Sequence, residues 1–307
     1  MTVYILCPRS SGGVHSASRD LQRSGHVGPA NLIVGWRNIL FFCFTKFKSR
    51  KDLLVILSLE AVFVSIFFKK SVFWMHGFPN RSDMGLFKYL AIVFYYRFGC
   101  IFCWRCVAVS FIVKEVVSAI FGRKDIYVSH NCYGEFSRSI AAHQGLISIV
   151  YAGRLIEKKK VLDIVSCVEF LNGDGIDIKL NVYGEGPLKS QLETKIKCSV
   201  AKAVVFHGRV SREKVLEDMR TAQIHVLPSV FEPCAMSVVE SAELGLAQVL
   251  HRFSGAAEFV EPCFLIQEPT SLLSALMRAI EAVRSGYTIK GTPTNQWDIV
   301  LNDMYSK

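Results

Sequence analysis

Two glutamates, Glu232 and Glu240, stand eight positions apart in PSVFEPCAMSVVESAELGLAQVL, residues 228–250. The preceding IHVLPS reads as a buried strand ending in a Pro/Ser breaker. The following MSVVESAELGL reads as a helix with Val239, Ala242 and Leu246 on one apolar stripe. One acid therefore falls on a loop at a strand's carboxyl end, and the other about a turn inside a helix. In an open α/β sheet that crevice is where ligands bind. A purely structural role fits the same residues, since Ser237-x-x-Glu240 has the form of a capping box. Two cations, Arg154 and Lys159, occupy a comparable turn in GRLIEKKK. A guanidinium and an ammonium at a strand end suit a diphosphate, which gathers negative charge as it leaves.

Further candidates fall at other strand ends. VYGEGPL (182–188) places Gly184 where a missing side chain lets a ligand approach the backbone. As a dinucleotide fingerprint it fails, because G-x-G is followed by Pro. FHGRVSREKV (206–215) puts Arg209 and Val210 at a strand-to-helix turn. SSGG (10–13) places Gly12 and Gly13 where amides can approach a phosphate or an acceptor. MHGFP (75–79) leaves His76 at a strand end.

The elements that must position these residues follow a repeated β-α-β pattern, which argues for parallel sheets covered by helices on both faces. In the first half we expect strands at 2–7, 53–57, 71–76, 106–110 and 126–131. Helices are expected from the first glycines to about Arg23, over 30–48, over LEAVFVSIFF and over 111–122. In the second half strands are expected at 147–153, IDIKLNVYG, VVFHG, IHVLPS and AQVLHRF. The alternating helices are 162–173, PLKSQLETKIKC, SREKVLEDMRTA, the glutamate helix and 271–286. The expected fold is α/β, with an N-terminal Rossmann-like domain at 1–145 and a C-terminal one at 146–290. A linker is expected near 137–146. A tail at 291–307 remains, with a return to the first domain as one reading.

Composition narrows the class. With 307 residues, 51% apolar content and 20% charge, the chain has ample material for a core. No basic start with a long apolar run and cleavage site is visible at the N-terminus, so the ten cysteines are expected to stay reduced in a cytosol. CIFCWRC (100–106) supplies three cysteines and no second cluster, which favours packing over a metal site. Residues 1–145 hold 18 Lys/Arg against 7 Asp/Glu, whereas 146–307 hold 18 against 19. The basic half interleaves its cations with aromatic runs, FFCFTKFKSRK and LFKYLAIVFYYRFGCIFCWRC. That mixture suits an anionic membrane surface and not nucleic acid, while no run is long enough to span a bilayer. A core helix with a solvated basic edge is the competing reading.

Together, Gly-Arg-Leu with its lysine, V-x-G-x-G-P and the Glu-x7-Glu pair resemble the retaining glycosyltransferases of family 4. The resemblance runs from about residue 3 to 285 and is most specific in the second half. It implies the GT-B fold, two Rossmann-like domains facing across a cleft, and sugar transfer from a nucleoside-diphosphate sugar to a lipid-linked or glycan acceptor. The implied setting is surface-polysaccharide assembly, by a cytoplasmic protein peripherally attached to the inner face of the membrane. The resemblance makes His76, Arg154, Lys159 and Glu232 the catalytic set. Gly12, Gly13, Gly184, Arg209, Val210, Cys234, Ala235, Met236 and Glu240 become donor-binding. Neither a metal nor a cofactor is implied, the donor being a substrate. Same-face attack through an oxocarbenium-like state is the implied course. Departures from the family pattern are Cys132, Lys160, Ala235 and Ala256 where glycine is usual, and Gln248 where proline is usual. They leave open a non-catalytic partner subunit; a sugar-nucleotide epimerase of similar fold is the other alternative.

Overall fold

Short runs of β-branched and aliphatic residues dominate the strands, as expected for parallel sheets buried on both faces. The computed structural model describes residues 3–7, 31–34, 53–57, 59–78, 81, 84–131, 136–199, 202–261, 263–267 and 271–291. The chain divides into two compact units between Gly134 and Glu135.

The first unit holds β1 (Val3–Cys7), β2 (Asn31–Val34), β3 (Leu53–Ile56), β4 (Lys70–Met75), β5 (Arg105–Ala108) and β6 (Ile126–Val128). They form one parallel sheet in the order β2-β1-β3-β4-β5-β6. Ile5, Leu6 and the whole of β3 are buried. The helix expected over 30–48 is corrected at its start, where Asn31–Val34 pairs with β1. Leu-Ile-Val fits a pleated ladder better than a helix turn. LEAVFVSIFF folds as a 3-10 segment, Leu59–Phe67, and not as an α-helix. The helix expected up to Arg23, including Gly12 and Gly13, and the tail beyond Gly291 lie outside the described residues.

Helix α1 (Leu86–Phe102) separates β4 from β5, and α2 (Phe111–Phe121) separates β5 from β6. As expected, α2 ends on Gly122 at φ 73°, a conformation glycine adopts without a Cβ penalty. The three cysteines do not share a helix. Cys100 is on α1, Cys103 caps it and Cys106 is on β5, all buried. Arg123 donates to the carbonyls of Cys100, Cys103 and Trp104 at 2.6–2.9 Å, satisfying oxygens that α1 leaves open at its end.

In the second unit β8 (Ile147–Ala152), β9 (Ile178–Tyr183), β10 (Val204–Gly208), β11 (Ile224–Leu227), β12 (Ala247–His251) and β14 (Cys263–Ile266) form a parallel sheet. Its order is β10-β9-β8-β11-β12-β14. Strand order reverses between β8 and β11, so the ligand crevice of such a sheet opens beyond their carboxyl ends. The connecting helices are α3 (Val161–Gly173), α4 (Lys189–Cys198), α5 (Arg212–Met219), α6 (Met236–Glu243) and α7 (Leu272–Ser285). Helix α7 shows how the core is built, burying Ala275, Leu276, Ala279, Ile280 and Val283 at helical spacing.

The linker expected at 137–146 is corrected. β7 (Phe136–Ile140) pairs antiparallel with β15 (Tyr287–Gly291), which also pairs with β13 (Val260–Glu261). This small sheet binds residues 136–140 into the second unit, so the division comes before them and not at 145/146. Its strands are distant in the sequence, and Ser and Arg in β7 disguise it as loop.

Candidate functional site

Three loops meet at the carboxyl end of the second sheet, after β8, β9 and β10. After β8 the chain passes through Gly153 and Arg154; after β9 it turns through Gly184 and Gly186. Their backbones are laced together: Gly153 N–H donates to Tyr183 O at 3.0 Å, and Leu155 N–H to Glu185 O at 2.9 Å. A Cβ on Gly184 would stand 1.9 Å from Gly153 O, and its φ is 133°. One on Gly186 would meet Leu155 O at 2.3 Å. These glycines therefore serve first to let two loops touch, which refines the expectation that Gly184 merely admits a ligand.

Between the loops lies a cavity of about 450 Å³ lined by Arg154, Tyr183, Gly184, Arg209 and Val210, among others. Four residues singled out in the sequence thus share one wall. Arg154 is exposed, and its carbonyl accepts from the buried Tyr151 hydroxyl at 2.8 Å, which fixes its backbone. Burial, with the Glu232 carboxylate nearby, pushes the Tyr151 phenol well above its ordinary value. Tyr183 stacks on His207 with centroids 4.5 Å apart and donates to Asp218 at 2.8 Å.

Lys159 and Glu232, named separately from sequence, form an ion pair. Their side chains are 11% and 18% exposed, so water screens the pair only in part. Lys159 ends a short 3-10 turn, Glu157–Lys159, and is followed by Lys160 at φ 51°. That left-handed position favours glycine, so Lys160 retains a conformation without the residue that relaxes it. Glu232 is held by its backbone: it bridges Ser254, and Gly255 N–H donates to its carbonyl at 2.8 Å.

Helix α6 follows directly. Its N-cap is Ala235, with φ −73° and no side-chain cap, so alanine here is unstrained. The capping box is not formed. Glu240 instead accepts from Arg212 Nε at 2.6 Å. The first bonds of the α6 ladder run from Val238 and Val239 to Ala235 O, so the Met236 and Ser237 amides precede the ladder. Cys234 is buried between Glu232 and the helix start. The positive end of α6 thus begins four residues after Glu232, the partner of Lys159.

Sequence reasoning missed Arg212, whose signal was its place one residue after the Ser211 N-cap, in the turn already singled out. It also gave no sign of the setting of Gln248. His225 Nδ1 lies 3.1 Å from Gln248 Oε1, which also accepts from Ser241 Oγ at 3.2 Å, while Gln248 Nε2 donates to Leu246 O. Because that oxygen accepts, the His225 proton sits on Nδ1. All three residues are fully buried, and burial lowers His225 to about 4, keeping it neutral. Gln248 is therefore one partner in a matched polar core.

His76 ends β4 in the first unit, half-buried and stacked on Trp74 at 5.8 Å. Its Nε2 has no hydrogen-bond partner among the described residues, and burial lowers it to about 4, so it is neutral near pH 7. Asn131, at the end of the same sheet, is buried. Among the described residues no group of three His, Cys, Asp or Glu side chains is placed to hold a metal.

Residues 147–282 match the family model described as glycosyl transferases group 1. A GDP-mannose-dependent alpha-(1-6)-phosphatidylinositol dimannoside mannosyltransferase of Mycobacterium tuberculosis is 29% identical over 115 residues, 37% of this chain and 29% of that protein. The chain thus spans under a third of that relative's length in the match. Among solved structures, Anabaena HepE in complex with UDP and glucose superposes with a TM-score of 0.69 at 14% identity, over 92% of this chain and 90% of that one. The lipopolysaccharide outer core galactosyltransferase WaaB gives 0.66 at 14% identity, over 92% and 91%. The fold is that of these GT-B glycosyltransferases.

Proposed function

We propose that this protein transfers a sugar, with retention, from a nucleoside-diphosphate sugar to a lipid-linked or glycan acceptor in surface-polysaccharide assembly. One observation carries the reading. At the carboxyl end of the second sheet Arg154, Gly184 and Arg209 line one cavity, and the loop that carries Arg154 also carries Lys159, which pairs with Glu232 just before the uncapped start of α6. The cavity volume lies within the range of small-molecule sites.

In this reading the diphosphate docks between Arg154 and Lys159, with the Met236 and Ser237 amides facing it. As the glycosidic bond breaks, further negative charge grows on the leaving phosphate, and these fixed donors favour that added charge over the charge of the bound donor. Lys159 exchanges one anionic partner for another. Glu232, released from the ammonium, accepts from hydroxyls of the donor sugar. Arg209 and Val210 meet the base. Glu240 accepts from the ribose diol, with Arg212 holding its carboxylate in place. His76, neutral and holding a ring nitrogen without a partner, can bond a sugar hydroxyl. The acceptor hydroxyl attacks from the face the phosphate leaves, and a phosphate oxygen takes its proton. Two protein cations fill the role that a divalent metal plays elsewhere.

The test is a panel of radiolabelled nucleoside-diphosphate sugars with polyprenyl-diphosphate acceptors, with product anomers read by NMR. Transfer that requires both substrates, withstands EDTA and retains configuration supports the proposal. Product from donor alone points to an epimerase. A protein that binds neither UDP nor GDP removes the reading altogether.

A further inference from the structure

Helix α1 is apolar on both sides. Its inner side buries Tyr96, Gly99 and Cys100. On its outer side Phe87, Leu90, Phe94 and Ile101 fall on one helical stripe and are 89%, 51%, 57% and 60% exposed. A surface helix of a water-soluble domain normally turns polar residues outward. The 3-10 segment Leu59–Phe67 extends the patch. Phe63 packs edge-on against Phe98 at 4.6 Å and lies 6.1 Å from Phe94, while Ile66 beside it is 55% exposed. The exposed residues thus form one continuous surface, the kind that marks an interaction site.

The charge around the patch selects its partner. From Leu59 to Lys114 the sequence has seven Lys/Arg and two acids, Glu60 and Asp83. Lys69, Lys88 and Arg97 are exposed, with no acidic partner among the described residues. A second copy docking through the same face would set like charges against each other. Anionic lipid headgroups would complement them.

We infer that α1 and the 59–67 segment form a face that beds into the headgroup region of an anionic bilayer. At 17 residues α1 is about 25 Å long. No helix among the described residues is long and apolar enough to cross a membrane. The helix therefore lies in the plane of the interface, with Phe87, Leu90, Phe94 and Ile101 at the boundary between headgroups and acyl chains and Lys69, Lys88 and Arg97 among the phosphates. Because α1 follows β4, its Phe87 end starts at the carboxyl edge of the first sheet, the edge that carries His76. An acceptor held in lipid would be met at that edge. The docking itself stands independently of the transfer reading.

Flotation of the purified protein on vesicles tests this without any activity. We expect it to rise with phosphatidylcholine–phosphatidylglycerol vesicles at low salt and to stay behind with phosphatidylcholine alone. Phe87→Ser, Leu90→Ser and Phe94→Ser combined should abolish flotation while leaving the thermal transition and UDP or GDP binding intact. Lys69→Ala, Lys88→Ala and Arg97→Ala combined should weaken it on the order of 100-fold, at about five-fold per charge. Failure of the wild-type protein to float at low salt would overturn the inference. So would flotation unchanged in either combined variant, or a wild-type dimer that the serine variant converts to monomer without any vesicle binding.

Discussion

The two units present opposite surfaces for ligands. In the second, the charges at the sheet's carboxyl end are engaged: Lys159 with Glu232, and Arg212 with Glu240, over loops laced by backbone hydrogen bonds. In the first, the exposed face is aromatic, with cations at its rim that have no acidic partner among the described residues. A small anionic ligand is recognised by groups held at fixed places, because a misplaced charge cannot be repaired once water is excluded. A fluid interface needs only area and sign of charge. Under the proposed function, the fixed charges stand where the ligand is small.

If that contrast is right, disabling one unit leaves the other's task intact. The largest effect is expected from Arg154→Ala with Lys159→Ala. Transfer should fall well beyond the ~10²-fold expected for one lost cation, about 3 kcal/mol, while vesicle flotation is unchanged. Steady-state rates with labelled donor check it. Retained activity would break the assignment of both cations.

Gly184→Ala comes next, because a new Cβ would meet Gly153 O and the φ of 133° is strained for any L side chain. Urea unfolding should show roughly 3 kcal/mol less stability. Wild-type stability would mean that the two loops separate freely, and the rigidity argument would fail.

His225 supplies a pH test. Its folded value, about 4, is below its ordinary 6.5, so the unfolded chain binds more protons between these values. Stability gained from the neutral form is fully present above about 6.5 and is lost as pH falls towards 4. His225→Asn should flatten that part of the stability–pH profile relative to the parent protein, by on the order of 2 kcal/mol.

Smaller effects sharpen the picture. Arg212→Ala removes an ion pair whose guanidinium is 41% exposed, so stability should change by less than ~1 kcal/mol. Titration calorimetry with UDP or GDP should nevertheless show about five-fold weaker binding, since Glu240 loses its aim. Lys160→Gly should raise stability by up to about 1 kcal/mol, because φ 51° costs lysine but not glycine.

Most of the second unit could be read from the residues. Alternating apolar runs, the Ser211 and Ser271 caps and the turn glycines are local signals, and the expected strands and helices came out where these placed them, although β14, a four-residue edge strand, was not expected. The candidate site residues could be picked out for the same reason, as each followed an expected strand end. What escaped notice depended on partners far along the chain. β7 is a strand because β15, almost 150 residues later, offers it an edge, and Gln248 is welcome in a core because His225 and Ser241 satisfy it. The Ser237-x-x-Glu240 pattern was ambiguous until Arg212 claimed the carboxylate.

By itself, then, the sequence determined most of the strands and helices of the second unit, where the acids and cations enter the chain, and how charge divides between its halves. These follow from local periodicity and count. Only the tertiary structure decided that Lys159 meets Glu232, that Gly184 is needed for loop to touch loop, and that one helix turns aromatic rings outward. Those outcomes depend on distances between segments remote in sequence, which packing sets and no local pattern encodes.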